Sequence, residues 1–214
     1  MTAGVSAEPA EPAAEAPNAA RESRVPAPSA WFVLIAGVIG LAASMTLTVE
    51  KIELLLNPSY KPSCNLNPIV TCRSVMVTPQ ASVLGFPNPL LGIVAFTVVL
   101  VTGVLAVSKV ALPQWYWIGL LAGTVVGAGF VHWLIFQSLY RIGALCPYCM
   151  VVWVVTISLL VVVAAILVRP ALETRAGTVA RVFYQWRWSI ATLWFTAVFL
   201  LIMVQFWNYW STLL

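Results

Sequence analysis

Residues 146–168 read CPYCMVVWVVTISLLVVVAAILV, a stretch without one charged side chain. Roughly 20 helical residues cross about 30 Å of hydrocarbon, so this run is long enough to span a membrane. In lipid it must be helical, because no water is present to satisfy a free backbone N–H or C=O. Working outward, four more runs have the same character: 31–49, 89–108, 115–139 and 188–208. With 61% hydrophobic residues and only 8% charged, the chain lies outside the range of a water-soluble domain. The expected fold class is an all-α polytopic membrane protein with five transmembrane helices.

The 11 Lys and Arg stand against 7 acidic residues, all Glu, which is too sparse a charge for a nucleic-acid surface. The charges read instead as topology marks. Residues 1–30 are rich in Ala, Pro, Glu and Ser and are expected to form a disordered cytoplasmic tail. They lack the basic and short apolar regions of a secretory signal, so the run at 31–49 is expected to stay in the bilayer. The connection 169–187 carries Arg169, Arg175, Arg181 and Arg187, and Lys109 lies in the turn between spans two and three. With Arg21 and Arg24 they mark one side, expected to be cytoplasmic, which puts loop 50–88, residues 140–145 and the tail after the fifth span outside. Trp186 and Trp188 at one end of the last span, and Trp207, Tyr209 and Trp210 at the other, read as interfacial anchors.

All four cysteines then fall on the outer, oxidising side, where disulfides persist. Cys64 and Cys72 lie in the first external loop, while Cys146 and Cys149 open the fourth span. In that loop Asn67-Pro68 reads as the start of a short helix of about ten residues, with Pro79 stopping it. Ile69, Cys72, Val75 and Met76 would share its apolar face against the bundle, leaving Cys64 on the more accessible side. Cys146 and Cys149, three apart at a helix start, share a face and lie within disulfide range. The unpaired N–H groups of a helix N-terminus stabilise a thiolate, which makes such a thiol both a good nucleophile and a good leaving group. Inert structural disulfides and a four-Cys zinc site are the alternatives. For zinc, only the C-x2-C pair has ordinary ligand spacing; as a staple, that pair closes a loop the helix already holds.

The residues C64-NLNPIVT-C72-RSVM, then GFPNPLLG at 85–92, then C146-PYC at the head of the fourth span resemble the vitamin K epoxide reductase family in its bacterial, disulfide-forming branch. The DsbB type of quinone-linked thiol oxidase has similar chemistry, but it carries its CxxC in the first external loop and the spaced pair later. The resemblance implies a four-helix catalytic bundle over 31–168, with 169–187 as a basic cytoplasmic loop and 188–214 as a fifth helix and short external tail. It also implies catalytic roles for Cys64, Cys72, Cys146 and Cys149. A membrane quinone, menaquinone or ubiquinone, would bind near Cys149, and the loop cysteines would serve as a shuttle to a thioredoxin-fold protein. Only a few residues follow the fifth span, so that partner is expected to be a separate DsbA-like protein.

By the same resemblance Asn88 matches a position that hydrogen-bonds a quinone carbonyl, although Asn88-Pro89 also reads as an N-cap for the second span. Where animal members carry a tyrosine facing the quinone, this chain has Trp153, which offers an indole N–H but no hydroxyl. Thr78 matches a Ser or Thr after the loop helix and could simply close it. His132, the sole histidine, lies inside the third span, and a neutral imidazole bonded to a neighbouring helix is expected ahead of a proton relay. Gly119, Gly123 and Gly127, at spacing four, are expected to make close helix contacts.

Overall fold

The computed structural model describes residues 22–23, 25–169, 172 and 178–211. Five long helices are apolar enough to cross a membrane. They are α1 (Ala27–Leu56), α3 (Pro89–Val107), α4 (Gln114–Phe136), α5 (Pro147–Val168) and α6 (Thr178–Gln205). Between α1 and α3 lies the short helix α2 (Cys72–Met76), and a last turn, α7 (Trp207–Trp210), follows α6. The α4 helix continues as a π-helical turn, Gln137–Ile142, that ends at Gly143 in the left-handed region, φ 67°.

Four helices form the bundle: α1 lies along α3 and α5, and α4 packs on the other side of α5. Val33, Phe96, Trp117, Leu159 and Val163 from these helices meet in its largest core cluster. The α6 helix packs on α5 from outside, with 11% of its apolar window buried. Lipid is as apolar as a core, so helices in a membrane associate through close packing and polar contacts rather than water exclusion. The closest packing here is between α1 and α3. A Cβ added to Gly103 would lie 2.4 Å from Leu34 Cα, and one added to Gly37 would lie 2.7 Å from Leu100 Cα. The expected glycine contacts in α4 are not the ones formed: a Cβ on Gly119 or Gly123 would meet nothing within 4 Å, and only Gly127 has a neighbour, Thr156 at 3.5 Å. The periodicity is visible in the sequence, but Gly119 and Gly123 open onto space. Gly103→Ala should therefore destabilise the purified protein by about 1–3 kcal/mol, read as a lower unfolding midpoint in detergent. Gly119→Ala should stay within about 0.5 kcal/mol.

Several boundaries differ from the sequence expectation. The α1 helix starts before residue 31, at Ala27, because Pro28 is preset for the first turn, and Glu22–Ser23 pairs antiparallel with Leu112–Pro113. This shortens the expected disordered tail; residues 1–21 and Arg24 lie outside the described residues. Part of the expected basic loop 169–187 is helical, since α6 begins at Thr178 and takes in Arg181 and Arg187. In these extra turns the Arg187 guanidinium sits 4.0 Å over the Tyr184 ring. Arg175 falls outside the described residues.

Candidate functional site

The loop between α1 and α3 is strapped down by its own polar side chains. Asn67 Oδ1 accepts from the N–H groups of Ile69 and Val70, at 3.0 and 2.6 Å. Asn67 therefore caps a turn, whereas the sequence pointed to a helix start there. The next residues are extended, because their backbone is bonded elsewhere: Thr71 N–H donates to Leu145 O and Leu145 N–H to Ile69 O, both at 2.8 Å. The short helix is thereby confined to Cys72–Met76, and its N-terminus is clipped to the residue preceding Cys146. Arg73 donates to Tyr60 O at 2.6 Å and Pro58 O at 2.5 Å, charge-assisted bonds that hold the descending limb. Thr78 Oγ1 donates to Val75 O at 2.7 Å and closes the helix end.

This clip brings the sulfurs together. Cys64 and Cys72 form a disulfide, with Cα atoms 5.6 Å apart, while Cys146 and Cys149 are free thiols. Cys72 Sγ lies 3.1 Å from Cys146 Sγ, so the two pairs touch although 74 residues separate these cysteines. Cys72 and Cys146 are 0% and 1% exposed and share a cluster with Leu47, Leu54 and Met76. Cys64 is not the accessible thiol expected from sequence, being only 5% exposed. Its neighbour Ser63 donates through both N–H and Oγ to Glu50 Oε1, at 3.2 and 2.6 Å, and this holds the segment against α1.

Beside the thiols the bundle has a half-open cavity of about 1020 Å³, walled by α1, α3, α4 and α5 and almost entirely apolar. Cys146, Cys149 and Trp153 all line it. Trp153 stands one helical turn beyond Cys149, on the same face of α5. It is 3% exposed, and its indole N–H is buried without a hydrogen-bond partner. Gly119 and Gly123 form part of the wall, which explains the open space beside them. Asn88 also lines the cavity. Its side chain does not cap α3: Nδ2 donates to Gln80 O at 2.7 Å and Oδ1 accepts from Val83 N–H at 3.0 Å, pinning the turn before the helix.

Two further wall residues went unsingled in the sequence. Lys51 is 8% exposed, lines the cavity and donates from Nζ to Met76 O. Gln137, at the start of the π-helical turn, lines the cavity with its Oε1 buried and unpartnered. The signal available for both was a polar side chain inside a spanning helix. His132 is used as expected of a neutral imidazole: Nδ1 bonds Ala128 O at 2.7 Å, and Nε2 accepts from Trp194 Nε1 of α6 at 2.8 Å. It joins the fifth helix to the bundle and is not among the residues around the cavity.

The model of the Vitamin K epoxide reductase family matches residues 31–164, more than half of the chain and all of the site just described. No curated protein matches the chain.

Proposed function

The chain belongs to the vitamin K epoxide reductase family, a family of membrane thiol oxidoreductases that use quinones, and from there we propose that it works as a disulfide-forming enzyme. It reoxidises a separate, extracytoplasmic DsbA-like protein of thioredoxin fold and passes the electrons to a quinone, menaquinone or ubiquinone, of the bilayer. The 3.1 Å contact between Cys72 and Cys146 carries this reading, because two inert staples have no need to sit in sulfur contact. The family match replaces the DsbB-type alternative.

The relay is thiol–disulfide exchange throughout the protein's own part of the reaction. A thiolate of the reduced partner attacks Cys64 of the Cys64–Cys72 disulfide, and Cys72 leaves as a thiolate. Cys72 attacks Cys146 of an oxidised Cys146–Cys149 pair, and Cys149 leaves. The partner's second thiol releases oxidised partner from Cys64, and Cys64 displaces Cys146 from Cys72. The loop disulfide is restored, and Cys146 and Cys149 hold the two electrons and protons taken from the partner.

A quinone in the cavity supplies an acceptor for two electrons and two protons. The walls fit such a ring: they are apolar, a thiol opens onto them, and Trp153 has an indole N–H in want of an acceptor. Asn88 keeps a second amide hydrogen for a ring oxygen after its bond to Gln80 O. Anaerobic addition of quinone to protein with all four cysteines reduced should re-form the Cys146–Cys149 disulfide first, seen as lost reactivity to a thiol-specific mass tag. If the thiols persist through excess quinone, the assignment is wrong.

The positive-inside bias of Lys109, Arg169, Arg181 and Arg187 supports a cytoplasmic N-terminus and extracytoplasmic cysteines. Burial of Cys64 adds a requirement: the partner must lift the segment that Ser63 ties to Glu50. Ser63→Ala removes a bond to a charged group worth about 1.5–3 kcal/mol. It should speed reduction of the loop disulfide by a small dithiol about tenfold, measured by quenched gel shift.

A further inference from the structure

We propose that the Lys51 ammonium is the cationic contact for the quinone ring oxygens, a role that rests on reading the cavity as the quinone site. Among the described residues that line this cavity, Lys51 is the one with a charged side chain. An ionisable group buried at membrane depth is costly, and it faces a cavity or a partner where it is kept. Here it does both. One of its three hydrogens goes to Met76 O at the end of the loop helix, and that bond anchors the head of a side chain that lines the cavity. The neighbouring carboxylate, Glu50, takes both Ser63 hydrogens on Oε1, and its buried Oε2 has no hydrogen-bond partner, so it does not draw on Lys51. The remaining hydrogens of Lys51 are thus available to an oxygen acceptor inside an otherwise apolar space. A charge-assisted bond there is stronger than a neutral one, and it favours a ring whose oxygens gain negative charge as electrons arrive.

Equilibrium dialysis of the detergent-solubilised protein with menadione and with 2-methylnaphthalene, which lacks the ring oxygens, tests this directly. Lys51→Met should weaken menadione binding about tenfold or more and leave 2-methylnaphthalene unchanged. Lys51→Arg, which keeps a cationic donor, should retain most of the menadione affinity. Gly123→Leu fills the cavity from its open wall and should weaken both ligands. Unchanged menadione binding in Lys51→Met, with loss in Gly123→Leu, overturns the role of Lys51 and leaves the cavity as the quinone site. Equal loss of both ligands in Lys51→Met makes Lys51 a tether of the loop helix and overturns the proposal as well. Menadione binding that Gly123→Leu does not disturb removes the quinone from this cavity and the inference with it.

Discussion

Cys149→Ser should bring quinone reduction by a reduced DsbA-like protein down to the uncatalysed background, a loss on the order of 10³-fold or more, as when an enzyme loses its nucleophile. A serine hydroxyl cannot form the disulfide that releases electrons, so the relay stops at Cys146. Both thiols of CPYC line the cavity and Cys146 is the one in sulfur contact with Cys72, so the proposed relay gives the two different duties. The variant should accumulate a disulfide between Cys72 and Cys146, formed when the Cys146 thiolate, 3.1 Å away, attacks Cys72 and displaces Cys64, because the thiol that would reclaim Cys146, Cys149, is gone. Following quinol absorbance in membranes with wild type or variant measures the first effect, and non-reducing peptide mapping the second. Equal rates in the two membranes would falsify the mechanism.

The second large effect separates the two ends of the relay. Cys72→Ser removes the loop disulfide, so a reduced partner has nothing to attack, and partner-driven turnover should fall by about 10²-fold or more, since reacting groups held in contact are replaced by a chance encounter. The Cys146–Cys149 pair should still be oxidised by added quinone, because neither Cys149 nor the cavity wall is altered. Loss of both activities would mean that Cys72 acts through packing, which its complete burial makes a real competitor. Retention of both would mean that partner electrons reach Cys146 by another path. Stopped-flow mixing with reduced partner, and separately with quinone, distinguishes the three outcomes.

Much of this protein can be read from its residues in order. Each spanning helix announces itself by length and hydropathy. The prolines at 28, 89 and 147 sit in the first turns of α1, α3 and α5, and the order of the cysteine pairs points to the family. The loop helix was legible in existence but not in extent. The backbone of residues 69–71 looks free to coil in the sequence, and its actual partner, Leu145, lies far along the chain. Cys64 was misplaced for a related reason: preceding a cap suggests exposure, whereas Glu50 draws Ser63 inward from a different helix.

The glycines make the same division. Gly119, Gly123 and Gly127 have the spacing of a contact face, and Gly37 and Gly103 have none, yet the second set is where α1 and α3 meet. Sequence alone settled which segments enter the bilayer, because lipid imposes that condition on every segment through its own composition. Which faces then turn toward one another is a property of pairs, and in a helix apolar all round polarity does not distinguish the inner face from the outer. Only the tertiary structure decided that two distant sulfurs touch, and that Lys51, Trp153 and Cys149 open onto one cavity.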